Sequence, residues 1–599
     1  MDRQRLLLRN FMVATALGVT TLAGLQASDA GGPLAVFEPG TPYRWVNQGQ
    51  DIQFSPDRGG LGTLSHEAAL AQTLEAFAGW TDVASATISY VQGPELAEDI
   101  DETNFGPFFF ETGTADGLSP IIYDEDGEIF RTLFGGSAEF ILGFASPEVF
   151  NDQTGEIVEG FSFLNGLPLI SDAFPFSEEE MFGVQIHEFG HFSNMAHTVV
   201  NGQVALFSEP AGPAPTAAFP VPDDLIYEIM YPFASDQTAT VPQRDDIASL
   251  STLYPEDAFA TDTGTIRGTV FNSSGNPVTG VNVIARNVAD PFNDAASAIS
   301  SDQTGDYSEG APFVGEYAIT GLTPGASYVL YVDRIVAGGF STPPGVFAAE
   351  EFYNGTNESS EETDIPSEFV EVVAVAGSPV DAIDFHLAPF RPGVPLPIGD
   401  EAALELPLPF EFEFCGTRYQ SVFIHDNGFL MFGGSTPVSF TVTKDEFLQS
   451  FPRIAPMWTD LNPGAGGSVV FNQTEDSHTV SFDNVPEFPA NGNNTFSVTL
   501  YESGRFDFDF GELNGGLFPL GNLSGYSCGG AATTGAEAPA DLTNLPDPVV
   551  IDIGGEQVEV PTNSRLRAVY ELFTAETIDV SGFRIHWGRT LDFSSAESE

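Results

Sequence analysis

"SEEEMFGVQIHEFGHFSNMAH", residues 177–197, decides how the first part of this chain folds. Ser177 followed by Glu180 is a capping box, in which each side chain satisfies the other residue's backbone N–H. A helix should therefore start there and run through His191. On that helix His187 and His191 are four residues apart and share a face, as two ligands of one metal ion must. Glu188 lies one step round from His187 and can sit beside a metal-bound water without being a ligand. His197 comes six residues after His191, where a straight helix would carry it away from the pair. The chain must therefore turn after about Ser193. Asn194 stands at that point, and asparagine is the non-glycine residue that best tolerates the left-handed conformation ending a helix. Three imidazoles leave one position open on a four-coordinate ion, the arrangement of a catalytic zinc. The plain alternative is three ordinary histidines that fall close together; the spacing of the third, with a capping box upstream, favours the metal site.

These residues also carry a resemblance. "HEFGHFSNMAH" (187–197) resembles the HExxHxxGxxH zinc-binding stretch of the metzincin metalloproteases. "EIMYPF" (228–233) resembles the Met-turn that lies beneath the metal in that clan, and "VPQRDDIASLSTLYP" (241–255) resembles the closing helix of the matrixin branch. The resemblance covers roughly residues 43–256. It implies an α/β domain with a twisted mixed sheet and an active-site helix, with His187, His191 and His197 holding one catalytic zinc. It further implies Glu188 as general base, Met230 as the Met-turn residue, and hydrolysis of peptide bonds in a protein or peptide substrate. The loop between Met230 and Pro242 would form the wall of the substrate pocket. Two departures stand out. Asn194 replaces the family's glycine, and no cysteine precedes Cys415, so the thiolate that keeps many matrixins latent is missing. Matrixin-like domains often carry structural calcium, and "IIYDEDGEIF" (121–130) spaces Asp124 and Asp126 as calcium could use them. An acidic turn between two strands fits that segment equally well. Asp245 and Asp246 either tie the closing helix to the domain or belong to the general acidity.

Working outward, 599 residues are too many for one core and suggest about three to four domains. "MDRQRLLLRNFMVATALGVTTLAGLQASDA" (1–30) has three arginines, an apolar run and small residues near Ala27 and Ala30, the pattern of a secretory signal peptide. No later run is long enough to span a bilayer, so a secreted, extracellular product without stable membrane insertion is expected. Nineteen basic residues against 85 acidic ones, a net of −66, exclude nucleic acid and anionic membranes as natural partners.

Residues 31–256 mix helix-like and strand-like patterns. "HEAALAQTLEAFAGW" (66–80) places Leu70, Leu74 and Phe77 at helical spacing, and "ATISYVQG" alternates as a strand. From 264 to 389 the texture becomes short β-branched runs broken by Gly and Pro, as in "GTIRGTVFNSSGNPVTGVNVIARN", a small β-sandwich. It is similar to the carboxypeptidase regulatory-like module of secreted enzymes. "FRPGVPLPIGD" (390–400) is a Pro-rich linker. Residues 401–592 alternate apolar and polar positions, with Ser503 and Gly504 as a hairpin turn, and resemble a nidogen-type extracellular β domain over about 405–525. There Asp460 and Asn462 suit either calcium or a turn. Cys415 and Cys528, the chain's two cysteines, are expected to form one disulfide if exported; two buried thiols are the alternative. The fold class is therefore a multidomain chain, an α/β metzincin-like domain followed by two all-β domains able to bind substrate or a surface. The functional alternative to a zinc endopeptidase is a non-catalytic secreted adhesin or binding protein with a metzincin-like fold. Glycan binding led by the β regions is a third reading.

Overall fold

The computed structural model describes residues 11–12, 32–110, 115–134, 138, 141–171, 175–207, 219–222, 224–304, 311–333, 351–358, 369–396, 398–400, 403–434, 440–488, 491–513, 521–530, 537–539, 541–544, 549–553, 556–560, 566–573 and 578–588. The expected signal peptide lies outside these apart from residues 11–12. The chain divides into two compact units: 1–334, 340–344 and 348–389 form one, and 335–339, 345–347 and 390–599 the other.

The first unit opens on a mixed sheet of strands β1 (Arg44–Trp45), β2 (Ile52–Pro56), β3 (Tyr90–Gln92), β4 (Pro120–Asp124), β5 (Gly143–Asn151) and β6 (Glu156–Asn165). The spatial order is β1-β6-β4-β2-β3 with every neighbouring pair parallel, and β5 adds antiparallel to β6. Every residue of β4 is buried, as expected of a parallel strand covered on both faces. Ile121 packs toward Phe54, Phe77 and Phe189, while its neighbour Ile122 packs toward Phe130, Phe144 and Phe163. Two apolar layers thus sandwich the sheet.

Helices α1 (His66–Thr81) and α3 (Glu178–Phe192) pack together on the first of these layers, and the short α2 (Glu128–Phe134) contributes Ile129 and Phe130 to the second. Helix α1 exists as expected, but its buried face differs from the expected one. Ala69, Thr73, Ala76, Phe77 and Trp80 turn inward, whereas Leu74 is 43% exposed. Polar bonds set this rotation: the Thr73 hydroxyl meets the Tyr123 hydroxyl at 2.8 Å, and Trp80 Nε1 donates to Ile186 O at 2.8 Å. Phe77 then lies flat on Phe189, centroids 3.9 Å apart. "ATISYVQG" forms a strand only over β3.

Downstream in the same unit, helix α4 (Arg244–Leu253) closes the histidine-bearing region. A β-sandwich follows. Glu316–Leu322, Gly264–Phe271 and Phe385–His386 make one sheet; Ala295–Ile299, Asn282–Asn287, Ser327–Asp333 and Glu351–Phe352 make the other, with Val372–Val373 pairing Ser327–Asp333.

The second unit is mostly β, with a short helix at Lys444–Gln449. Its larger sheet runs Ala403–Phe414, Thr417–His425, Phe429–Met431, Arg453–Trp458, Asn522–Ser527, Ala568–Phe573 and Glu537–Pro539. A five-stranded sheet runs Ser468–Gln473, Ser477–Glu487, Asn491–Tyr501, Phe506–Leu513 and Arg584–Trp587. The turn at Ser503 and Gly504 joins Asn491–Tyr501 to Phe506–Leu513, with Gly504 at φ 80° and its N–H donating to Tyr501 O. Cys415 and Cys528 are disulfide-bonded, Cα atoms 5.6 Å apart.

Candidate metal centre

Helix α3 begins where its sequence says it should. The Ser177 side chain accepts from Glu180 N at 3.1 Å, and the Glu180 carboxylate accepts from Ser177 N at 2.7 Å. From Met181 onward the helix is buried on nearly every side, with α1 against one flank and strands β5 and β6 against another. At its far end Asn194 takes φ 72°. Its N–H donates to His191 O, and the next N–H, of Met195, donates to Gly190 O, the paired bonds of a Schellman motif. The Ser193 carbonyl, freed by the turn, accepts from Tyr254 OH at 2.9 Å.

The turn carries His197 back to the helix. The Nε2 atoms of His187 and His191 are 3.0 Å apart, and those of His191 and His197 3.1 Å. Among the described residues these three form the group of ligating side chains that converges within 4.8 Å. His187 Nδ1 lies 2.6 Å from Ile229 O, and His191 Nδ1 lies 2.8 Å from Met195 O. A carbonyl only accepts, so both Nδ1 atoms carry the proton and the Nε2 lone pairs face inward. Burial lowers His191 to about 4 and holds His187 and His197 well below the ordinary histidine range. Neutral imidazoles with lone pairs aimed at one point repel one another unless a cation lies between them. At a Zn–N bond of about 2.0–2.1 Å, tetrahedral ligand atoms stand about 3.3 Å apart, close to the spacing here. The donor set therefore fits zinc.

Glu188 is fully buried, neither carboxylate oxygen has a hydrogen-bond partner, and burial raises its pKa well above the usual range. Gly143, at the start of β5, makes room for it: a Cβ there would come 2.8 Å from Glu188 Oε1. Met230 is fully buried beneath the helix, where any side chain at Gly190 would overlap its sulfur. Asp246 holds that turn, its two oxygens accepting from Met230 N and Ile229 N at 3.0 Å each and one also from Gln243 N. Asp246 thus ties α4 to the domain. Asp245 faces the other way, accepting from Ser297 N at 2.8 Å in the β-sandwich.

Other expected positions make local backbone bonds. Asp124 Oδ2 accepts from Phe130 N, and Asp126 Oδ1 accepts from Glu128 N, so both serve the start of α2. Asn462 Oδ1 accepts from Ala465 N in a turn. Two contributions had no signal in the sequence, the side-chain bonds of Asn194 and the grip of Glu228. The Asn194 amide accepts from Ala35 N at 2.9 Å and donates to Ala35 O and Tyr43 O, docking residues 32–35 on the turn with Leu34 N bonded to Asn194 O. A glycine would lose the three side-chain bonds, which gives asparagine its own reason to be there. Glu228, 1% exposed, accepts from the N–H groups of Val200, Asn201 and Gly202. Only its place within "EIMYPF" pointed toward it.

No helix among the described residues is long and apolar enough to cross a membrane. The comparisons with known proteins bear on the second unit: residues 393–532 match the family described as NIDO related. With the disulfide, that match is consistent with an extracellular protein. No curated protein matches the chain.

Proposed function

We propose that this chain is a secreted, zinc-dependent endopeptidase of the matrixin-like kind, hydrolysing peptide bonds of extracellular proteins. One observation carries the reading: three neutral imidazoles aim Nε2 at one point, with the unbonded Glu188 carboxylate beside them. His187, His191 and His197 would hold the ion. Bound zinc supplies a Lewis acid that polarises a carbonyl and brings a water's pKa to about 7. Glu188 takes the proton from the attacking water and returns it to the leaving amine nitrogen. Burial raises the proton affinity of this carboxylate, which suits a group that must accept a proton and then release it. Ile229 O and Met195 O orient His187 and His191, and Asp246 holds the backbone that carries Ile229 O and Met230.

A second reading is favoured by one feature. The three histidines are between 0 and 4% exposed, and a closed metal site is the form taken by structural ions. On that reading the chain is a binding protein braced by its metal. Zinc content and casein hydrolysis, measured on wild type and Glu188→Ala, separate the two. The protease reading expects one zinc in both proteins and activity at least about 100-fold lower in the variant. Zinc in both with no cleavage by wild type sinks it in favour of the binding protein, and absence of zinc sinks both.

A further inference from the structure

His187 and His191 are fixed by the helix that bears them. His197 stands on a loop, and what holds the loop holds the ligand. Upstream, Ala196 N donates to Gly32 O and Leu34 N to Asn194 O. Downstream, Thr198 N donates to Met230 O. Much of the remaining downstream hold comes from the β-sandwich. Asn282 Nδ2 donates to Val199 O at 3.0 Å, and Gln203 Nε2 donates to Asp333 Oδ2 at 2.9 Å. At the centre is Arg286, fully buried in strand Asn282–Asn287. Its Nη2 donates to Val200 O at 2.7 Å and Nη1 to Asn201 Oδ1 at 2.7 Å, while Nη1 also reaches Pro291 O and Nε reaches Tyr331 OH. The opposite side of this segment is gripped by the Glu228 carboxylate through Val200, Asn201 and Gly202 N–H. The same sandwich reaches the Met-turn, since Ser297 bonds Asp245 on the helix whose Asp246 holds Ile229 and Met230.

A fully buried guanidinium is costly to desolvate unless its fork is matched by acceptors. Here two tines of that fork are spent on the residues that follow the third histidine. We infer that the β-sandwich is part of the histidine site and that Arg286 is a positioning residue for His197. This rests on the metal-site reading above. A lysine keeps the charge and loses the planar fork, so Arg286→Lys releases the loop without emptying the core of a cation.

The test uses the full chain. Zinc affinity is measured by competition with a chromophoric chelator, and ligand geometry from the visible spectrum of the cobalt-substituted protein. Both are recorded for wild type, Arg286→Lys, His197→Ala and the double variant, with thermal unfolding as a check of folding. Expected is a folded Arg286→Lys whose zinc affinity falls about 10–100-fold, with an altered cobalt spectrum. The affinity loss should vanish when His197 is already alanine, because the arginine acts through that ligand. Wild-type affinity and spectrum in a folded Arg286→Lys overturn the inference, as does an equal loss in the His197→Ala background. If Arg286→Lys fails to fold, Asn282→Ala, which removes only the bond to Val199 O, takes its place: a zinc loss that depends on His197 upholds the inference, and wild-type binding or a loss independent of His197 overturns it. A wild type that binds neither zinc nor cobalt removes the metal-site reading itself, a result distinct from wild type and variant binding alike.

Discussion

Two β regions follow the histidine-bearing part of this chain, and in sequence they look like the same kind of thing. Residues 264–389 and 393–532 share short alternating runs and frequent glycine. Their buried polar groups set them apart. The first spends Asn282, Arg286 and Ser297 on residues 199–201 and on Asp245, outside its own fold. The second carries its own fastenings: the Cys415–Cys528 disulfide, and Arg453 stacked at 4.8 Å on both Phe429 and Trp458 while paired with Glu446. Strand texture alone does not say whether a β region is an appendage or a wall of the site. Each region has an arginine inside a buried strand that must find polar or aromatic partners, and where those lie separates the two. Arg286 of "NVIARN" (282–287) reaches Val200 O and Asn201 Oδ1 outside its own region, whereas Arg453 pairs with Glu446 inside its own.

If the two units are fastened separately, they should fail separately. The largest effect is expected from replacing both Cys415 and Cys528 with alanine, which opens a loop spanning 113 residues and costs about 4–5 kcal/mol on the chain-entropy account. In calorimetry one transition should fall while zinc binding, measured below that transition, stays at the wild-type level. A zinc loss in step with the disulfide would break the comparison. Phe77→Ala removes the stack on Phe54 and Phe189 and should cost about 3–5 kcal/mol, confined to the other transition. Both transitions falling together would show one cooperative body. The smallest effect sharpens the first unit: Leu74→Ala should change stability by less than about 0.5 kcal/mol, because Leu74 lies on the open side of α1. A loss above about 2 kcal/mol at that position would mean the helix is rotated back to the face its apolar spacing suggests.

What could be read from the sequence was what short-range geometry encodes. The Ser177–Glu180 box, the four-residue step between His187 and His191, the left-handed Asn194 and the turn at Ser503 and Gly504 all depend on neighbours within a few positions. The rotation of α1 depended on Tyr123 and Ile186, 50 and 106 residues from their partners, and spacing within the helix could not report it. Asp124 and Asp126 have a calcium-like pattern, and one oxygen of each also accepts an N–H at the start of a two-turn helix, a pairing the spacing alone does not reveal. The Glu228 and Arg286 grips on residues 200–202 span 26 to 86 residues. A buried carboxylate in a chain with 85 acidic residues has nothing local to distinguish it.

The Arg286 fork also sets an order of events. A ribosome delivers His187, His191 and His197 well before strand Asn282–Asn287, and Asp333 later still. A nascent chain that has emerged only through α4 already owns every histidine of the cluster, yet lacks the groups that secure the loop after the third one. On the metal-site reading, the loop that bears the third histidine is secured only once synthesis has passed residue 333 and the later region has folded against the earlier.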